Sequence, residues 1–569
     1  MKNLSRFFFI FCIGIFLYSC NQNTTATPVS ENSLNQIPHL EKQGTATRLV
    51  VDGKPFLMLA GELHNSTAGG FDYMRPVWKR MADKNLNSVI ATVSWELMEP
   101  EEGKFNFALV DSVITGARQA NLKLGLIWFG SWKNAGSTYI PEWVKKDYKK
   151  YPRARDEKGK PLEILSTFGE AAAAADAKAF EALMRHIKDV DSKYQTVVMM
   201  QVENEMGVLD NLGTSPGNAR RDFSNAANSA YNSDVPKGLI YYLIQHKQNL
   251  YPELSKVWGA NGFKTSGSWE EVFGKSFIKP DNKDWKLNSF YTEELFSAWN
   301  YAKYTEKVAA AGKKEYPIPM YVNAWLKQPF SFIPGKYPSG GPLPQVLDIW
   351  RAAAPSIDFI APDIYTDEFK WVCDEYTRSG NPLFIPETRG GKIAAARAFY
   401  AFGQYDASCF SPFGIDGATD AENEPLDETY AVLQKMSPVI LQNQGKGTMK
   451  GILVDTVSRT QQFEMGDYLI NAKLAGGKST SIAGGLIIQT GPAEFIVAGK
   501  ALDIFFLPKD STARIGILAV DEGTFENGKW IAQRRLNGDE THASTWDGTG
   551  NKLPADKISI QKISLYRYE

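Results

Sequence analysis

The chain has 569 residues, with 63 basic and 64 acidic side chains, a net charge of −1 and 43% hydrophobic residues. This length predicts two to four domains, or one large barrel with an accessory domain. The balanced charge argues against nucleic acid as the main partner, and the ordinary apolar content argues against a disordered or multi-span membrane protein. Aromatic residues make up 12% of the chain, and composition alone favours a large core over a sugar-binding cleft.

The first 20 residues have the pattern of an export signal. Lys2 and Arg6 precede an apolar run from Phe7 to Tyr18, which is too short to span a bilayer comfortably. The run ends in Leu17-Tyr18-Ser19-Cys20, which resembles a bacterial lipobox. This resemblance implies cleavage before Cys20 and lipidation of its thiol. A plain secretory signal with a chance cysteine is the alternative.

Residues 21–36 are rich in Asn, Thr, Ser and Gln and predict a flexible tether. The N-terminus therefore predicts an exported, membrane-anchored lipoprotein in the periplasm or on the cell surface. Only Cys373 and Cys409 would remain in the mature body, both beside apolar residues. They are predicted to be buried thiols, with a disulfide as the alternative.

Residues 37–444 are predicted to form a (β/α)8 barrel, because β-like apolar runs alternate with amphipathic helical stretches. A doubly wound sheet is the alternative, but no glycine-rich phosphate loop follows the first run. The predicted strands are Phe56 to Ala60, Ser88 to Val93, Lys123 to Trp128, Thr196 to Val202, Met320 to Ala324, Asp358 to Ile364, Leu383 to Pro386 and Ser408 to Phe413.

Gly207 to Pro319 exceeds the length of one helical crossover and is predicted to contain the fourth helix plus an insertion. The insertion forms either substrate subsites over the barrel mouth or a small satellite core. Residues 445–569 contain short β-rich runs and the turn signals Asn527-Gly528 and Asn537-Gly538. They predict an antiparallel β-sandwich that braces the barrel, with carbohydrate binding as the alternative.

Two glutamates follow predicted barrel strands on opposite sides of the mouth. The run Gln201-Val202-Glu203-Asn204-Glu205-Met206-Gly207 closes strand four, and Glu387 follows Phe384-Ile385-Pro386 at the end of strand seven. Barrel active sites form at the carboxyl ends of strands. Two opposed carboxyls, one protonated and one ionised, are what glycoside hydrolysis requires.

These motifs resemble the retaining glycosidases on (β/α)8 barrels. Gln201 to Gly207 is similar to the acid/base motif of glycoside hydrolase family 35, with some likeness to family 42, and β-galactosidases dominate both families. The resemblance implies that Glu205 is the acid/base, Asn204 binds the sugar 2-hydroxyl and Glu387 is the nucleophile. It also implies that Tyr365 hydrogen-bonds the nucleophile. Glu203 is the alternative acid/base, or a structural carboxylate paired with Arg or Lys.

Other side chains near predicted strand ends are candidates for sugar binding. Trp95-Glu96-Leu97-Met98-Glu99-Pro100 resembles the family 35 segment after strand two, whereas Trp128 to Asn134 departs from the family pattern after strand three. That departure puts the choice of galactose in question more than the hydrolase activity. At least two of Trp95, Trp128, Trp132 and Trp325 are expected to line the cleft. The candidate substrate-binding residues are Asn204, Tyr365, His64, Trp95, Glu99, Trp128, Asn323 and Trp325. Asp363 is a further candidate for a hydrogen bond to the sugar, on the same footing as His64 and Asn323.

Other catalytic patterns are not supported. Gly213 to Gly217 matches the string G-x-S-x-G but follows no strand, and Gly477-Lys478-Ser479 lacks the first glycine of a phosphate loop. The sequence contains no H-E-x-x-H motif and no paired C-x-x-C motif, so it predicts neither a metal nor a cofactor.

The sequence therefore predicts a retaining exo-glycosidase, most simply a β-galactosidase acting on an oligosaccharide or polysaccharide. A β-glucosidase or an α-L-arabinopyranosidase is the alternative within this class. A non-hydrolytic surface glycan-binding lipoprotein is the alternative outside it. The sequence does not fix the linkage or the oligomeric state.

Overall fold

The computed structural model describes residues 37–209, 220–276, 285–286, 291–475, 480–545 and 548–568. Its centre is a barrel of eight parallel strands, which confirms the predicted fold. We number the barrel strands one to eight in chain order. They are Met58–Glu62, Ser88–Ser94, Lys123–Phe129, Val197–Val202, Met320–Trp325, Phe359–Ile364, the split strand Phe384–Ile385 with Glu387–Thr388, and Cys409–Phe410.

Strand seven closes the barrel in two parts. Phe384–Ile385 pairs with strand eight, which pairs with strand one, whereas Glu387–Thr388 pairs with strand six. Pro386 separates the two parts, and proline has no N–H with which to continue a ladder. The break lies directly before Glu387.

One principal helix follows each strand, as expected for strands that are buried on both faces. No helix within the described residues is both long enough and apolar enough to span a membrane. The principal helices are Phe71–Ala82, Ala108–Gln119, Glu170–Asp191, Thr292–Glu315, Leu347–Ala353, Phe369–Tyr376, Gly391–Tyr405 and Asp420–Asn443. Shorter elements in the loops are the helices Thr67–Gly69, Trp95–Met98, Glu142–Lys146, Pro344–Val346 and Arg378–Gly380, and the strands Arg153–Arg155 and Pro161–Leu165.

A small antiparallel sheet precedes the barrel and was not predicted. Its strands are His39–Gln43, Ala46–Val51 and Lys54–Phe56. Leu49 and Val51 pack against Met58 and other residues of the barrel interior, so this sheet closes the amino end of the barrel. The first predicted barrel strand was therefore placed about two residues too early.

The described part of the insertion after strand four packs Trp258 and Trp269 into the main hydrophobic cluster, so these two rings form neither a separate satellite core nor an open platform. Trp258 and Trp269 are only 1% exposed and belong to the main hydrophobic cluster. Trp258 packs on Phe263 and Trp269 on Phe296, so these rings are not available to a sugar. The insertion contains the short helices Asn225–Tyr231, Lys237–Gln245, Pro252–Ala260 and Trp269–Phe273.

The C-terminal region forms two packed antiparallel sheets, as predicted. The turn at Asn527-Gly528 joins two paired strands, and both residues have positive φ. The second turn prediction was wrong, because the short helix Gly538–Glu540 follows Asn537. The first sheet contains Met449–Asp455, Ile482–Gly491, Glu494–Gly499, Ser559–Tyr568, Arg514–Glu526 and Lys529–Leu536. The second contains Thr460–Met465, Tyr468–Leu474, Leu502–Pro508, Gly548–Leu553 and Thr541–Thr545.

The first sheet packs directly on Gly391–Tyr405, the helix that follows the nucleophile candidate. A Cβ atom at Gly484 would lie 2.3 Å from the Ala396 carbonyl oxygen, and one at Gly403 would lie 2.8 Å from the Leu486 Cβ. Backbones this close leave no space for side chains. The contact supports the bracing role predicted for this region.

We expect Gly484→Ala to destabilise the fold by about 1–3 kcal/mol, because its methyl group would overlap the Ala396 backbone. Gly69→Ala is the control, since its added Cβ would meet only Leu97 at 3.7 Å. Denaturant unfolding followed by tryptophan fluorescence measures both variants. Equal stability of the two variants would contradict the close packing.

Candidate active site

Three carboxyl groups meet at the carboxyl end of the barrel. Glu205 follows strand four, Asp363 lies in strand six and Glu387 lies in strand seven. One oxygen from each carboxyl lies within 4.8 Å of the others. Asp363 and Glu387 are direct partners in the parallel ladder. The structure therefore brings together the two glutamates that the sequence identified and Asp363, which the sequence analysis named as a further candidate.

The loop after strand four has a strained backbone that aims Glu205 into the barrel mouth. Glu203 and Glu205 have φ values of 63° and 45°, a region that side-chain-bearing residues rarely adopt. The Glu205 N–H donates to Asn323 Oδ1 at 3.0 Å, and the Ala135 N–H donates to the Glu205 carbonyl at 3.0 Å. These bonds tie the loop to strand five and to the segment after strand three. Such strain at a fixed position is typical of functional sites.

Glu387 is surrounded by hydrogen-bond donors. The Tyr365 hydroxyl donates to its Oε2 at 2.8 Å. The side-chain amides of Asn204 and Asn323 each approach its Oε1 at 3.4 Å. Donors on both oxygens stabilise a negative charge on this carboxyl. The structure thus brings Asn204, Asn323 and Tyr365 together around the predicted nucleophile.

Glu205 has the opposite electrostatic environment. Burial, and secondly the negative charge of Glu387, raise the pKa of Glu205 from 4.5 to about 7, while nearby Lys133 acts to lower it. Burial disfavours a charged carboxyl, and a neighbouring carboxylate adds repulsion. Near neutral pH a large fraction of Glu205 is therefore protonated and can give a proton to a bound molecule.

Two residues that sequence reasoning did not single out belong to the same site. Lys133 is 8% exposed, and its Nζ donates to Asn204 Oδ1 at 3.0 Å. Glu62 ends strand one and is fully buried. Burial, and secondly the charge of Glu387, raise the pKa of Glu62, while Lys133 acts to lower it. The sequence signal that could have identified Glu62 and Lys133 was the presence of a polar residue at the end of a barrel strand or in the loop after it.

Glu203, the alternative acid/base, has a different surrounding. Its Oε2 accepts the Trp132 N–H at 2.8 Å. Burial, and then the neighbouring Asp176 carboxyl, raise the pKa of Glu203. Asp176 in turn accepts from Trp128 Nε1 at 2.8 Å. Among the described residues Glu203 is therefore paired with neither Arg nor Lys, and its bond to Trp132 helps to hold the loop after strand three.

The structure corrects the placement of Trp95, Glu99 and Trp128 in a sugar site. All three are at most 2% exposed. Trp95 Nε1 donates to Glu99 Oε2 at 2.7 Å, and Trp128 packs on Phe180 of an outer helix. Their polar atoms bind other protein groups behind the barrel wall. These contacts leave no face of any of the three open to a ligand.

Of the four tryptophans expected at the cleft, only Trp325 is partly exposed, at the end of strand five. Trp132 is fully buried against Tyr301 and Tyr304. The expectation that at least two of these rings line the cleft is therefore wrong.

His64 lies at the rim after strand one. Its imidazole Nδ1 lies 3.0 Å from Asp416 Oδ1, and its side chain is 51% exposed. Asp416 also accepts the Thr67 hydroxyl at 2.6 Å. The histidine is thus oriented by its partner while much of its ring faces solvent.

Cys20, the predicted lipidation site, lies outside the described residues.

The spacing of Glu205, Asp363 and Glu387 would also suit a metal ion. Metal ligands must be deprotonated, and burial raises the pKa of both Glu205 and Asp363. Lys133 adds a positive charge in the same space. A raised pKa suits Glu205 and Asp363 to holding a proton.

Comparisons with known proteins identify glycosidases that resemble this chain. The model of glycoside hydrolase family 42, described as beta-galactosidase, matches residues 72–243, and a domain of unknown function, DUF5597, matches residues 426–546. A beta-galactosidase of Xanthomonas manihotis is 28% identical over 193 residues, which cover 32% of this chain and 29% of that protein. Beta-galactosidase 11 of Arabidopsis thaliana is 26% identical over 106 residues, 17% of this chain and 12% of that protein.

The alignments thus span less than a third of either curated relative. Among solved structures, a family 42 β-galactosidase of G. stearothermophilus aligns with a TM-score of 0.49 and 10% identity, covering 89% of this chain and 98% of that chain. The sequence matches confirm the resemblance to β-galactosidase-type glycosidases that the motifs predicted. They support it through family 42 and do not show family 35 specifically.

We expect Glu387→Gln to lower the pKa of Glu205 below about 7, because the second cause that raises it is removed. Lys133→Met is expected to shift the same pKa upward, because it removes the charge that lowers it. Carbon-13 NMR of side-chain-labelled glutamate, assigned with Glu205→Gln, measures both shifts. An unchanged Glu205 titration in both variants would show that the three groups do not interact.

Proposed function

We propose that this protein is a retaining glycoside hydrolase that releases terminal β-galactosyl residues from glycans. The observation that carries the proposal is the pairing of Glu205 and Glu387. Their oxygens lie within 4.8 Å, one carboxyl has a pKa of about 7, and the other is held by donors. Retaining enzymes place their carboxyls about 5–5.5 Å apart, whereas inverting enzymes need about 6.5–9.5 Å to admit a water.

In the first step Glu387 attacks the anomeric carbon of the bound sugar. The bond from that carbon to the leaving oxygen breaks, and Glu205 gives its proton to this oxygen. The products are a free aglycone and a sugar esterified to Glu387. Tyr365 and Asn204, which donate to Glu387 in the free protein, orient its attacking carboxylate.

In the second step Glu205, now ionised, takes a proton from a water molecule. The water oxygen bonds to the anomeric carbon and displaces Glu387, which regains its negative charge. The sugar leaves with its original anomeric configuration, and Glu205 is protonated for the next cycle. Both carboxyls therefore end in their starting states.

Exo-action is supported by the burial of the site. Asn204, Glu205 and Glu387 are only 0–6% exposed. The middle of a chain would need an open groove, which would leave these side chains more exposed. The preference for galactose is supported by the partial matches to β-galactosidases. The segment Trp128 to Asn134, which departs from the family 35 pattern, contributes Lys133 to the site. A β-glucosidase or an α-L-arabinopyranosidase therefore stays the alternative activity.

Nitrophenyl glycosides test the activity. We expect release of nitrophenol from the β-galactoside, and a fall of at least about 10³-fold in kcat for Glu387→Gln, because that variant lacks the nucleophile. For the parent, kcat/KM should fall above about pH 7 as Glu205 loses its proton. Proton NMR of the first-formed product should show the β-anomer. Formation of the α-anomer first would contradict the retaining mechanism.

We also propose that Cys20 carries a lipid anchor and that residues 21–36 tether the body to the membrane. The lipobox-like sequence and the polar composition of the tether support this. In a bacterial host, Cys20→Ser should abolish incorporation of labelled palmitate and move the protein to the soluble exported fraction. Cys12→Ser is the matched control, since Cys12 lies within the signal. Equal labelling of both variants would contradict the anchor.

A further inference from the structure

Glu62 is a buried carboxyl on strand one that the catalytic steps above do not use. Its N–H donates to the Pro412 carbonyl at 2.9 Å, and its own carbonyl accepts the Ile415 N–H at 3.1 Å. Strand one is thereby fixed to the segment after strand eight on both sides of the residue. The side chain is 0% exposed. Its position at the carboxyl end of the barrel is therefore rigid.

Both carboxyl oxygens of Glu62 lack a hydrogen-bond partner among the described residues. This is unusual, because buried polar groups are nearly always satisfied and an unsatisfied one is costly. Glu294 shows the normal situation: it is 2% exposed and accepts from the Tyr337 hydroxyl at 2.8 Å and from Gln345. Glu62 therefore has two positions to which a ligand can bind.

The surroundings of Glu62 identify the ligand class. Met58 and Ala60 of strand one lie in the cluster inside the barrel, so Glu62, two residues further on, faces inward at the mouth where the catalytic pair lies. Asp363 Oδ1 is likewise unpaired among the described residues. Unpaired carboxyl oxygens beside a glycosidase pair suit the hydroxyl groups of a sugar. Asn204 already lies beside Glu387, where the resemblance places the 2-hydroxyl.

We propose that Glu62 is a specificity-determining residue that hydrogen-bonds two neighbouring hydroxyl groups of the terminal sugar beyond C2. The inference rests on the proposed function and deepens it. A carboxyl with both oxygens free can hold two adjacent hydroxyls at once, and a site built for hydroxyls rejects sugars that lack them. Glu62 thus selects a pyranose with an unsubstituted hydroxyl pair.

Deoxy sugars test this role. The parent, Glu62→Gln and Glu62→Met are assayed with nitrophenyl β-galactoside and its 3-, 4- and 6-deoxy forms. In the parent, kcat/KM should fall at least about tenfold when a contacted hydroxyl is missing. In Glu62→Met, removal of a hydroxyl that Glu62 contacts should no longer lower kcat/KM. Removal of a hydroxyl bound by other residues should lower kcat/KM as in the parent. Glu294→Gln, a buried carboxyl outside the site, should keep the parent's pattern. A parent-like pattern in Glu62→Met would overturn the inference.

Thermal unfolding gives a readout that is independent of catalysis. Because Glu62 is unpaired, Glu62→Met should leave the Tm unchanged or raise it, whereas Glu294→Gln should lower it. Galactose should raise the Tm of the parent and of Glu294→Gln but not of Glu62→Met. A Tm for Glu62→Met as low as that of Glu294→Gln, or an equal galactose shift, would overturn the inference.

The two proposals fail in different ways. A 2-deoxy-2-fluoro galactoside should label Glu387 in the parent and, more slowly, in Glu62→Gln, which mass spectrometry of peptides detects. If the parent is labelled but Glu62→Met responds to the deoxy sugars as the parent does, only the role of Glu62 is rejected and the retaining mechanism stands. An unlabelled parent rejects the retaining mechanism, and the galactose shifts then decide the role of Glu62.

Discussion

The repulsion between buried carboxyls at the barrel mouth is the constraint on which the rest of the site depends. Glu62, Glu205, Asp363 and Glu387 share a space with one buried amine, that of Lys133. Burial raises the pKa of Glu62, Glu205 and Asp363, and the charge of the neighbouring Glu387 adds to this effect. One negative charge can then reside on Glu387, where donors from three strand ends support it. Burial, reinforced by this repulsion, thus divides the acid from the nucleophile.

A scaffold that holds such charges has to be rigid, and the structure shows how rigidity is built. The sheet of residues 39–56 closes the amino end of the barrel, and apolar side chains fill the interior beneath the carboxyls. The loops after strands three and four hydrogen-bond to each other through Ala135 and Glu205. Loops after strands one and eight are joined by His64 and Asp416. Each catalytic side chain is therefore supported by a neighbouring strand end as well as by its own strand.

Much of this arrangement was predictable from local patterns. Apolar runs located all eight strands, and the strand-end rule identified Glu205 and Glu387. The prediction for Trp128 failed because of register, since successive side chains of a strand face opposite ways. Ile127 and Phe129 point into the barrel, so Trp128 between them points to the outer helices.

Lys133 and Glu62 were missed for another reason: their place in the site depends on neighbours that are 70 or more residues distant in sequence. The small sheet before strand one was missed because its short strands carry few consecutive apolar residues.

The contact between the barrel and the C-terminal sheets has a consequence for how the molecule unfolds. One continuous hydrophobic cluster includes Phe399 and Phe402 of the barrel helix together with Leu486 and Ile488 of the sheet. Neither part can open without exposing the apolar surface of the other. The two regions therefore form a single cooperative unit, although their architectures are unrelated. A substitution deep in the sandwich can then alter the population of competent catalytic sites without touching a single group near the substrate.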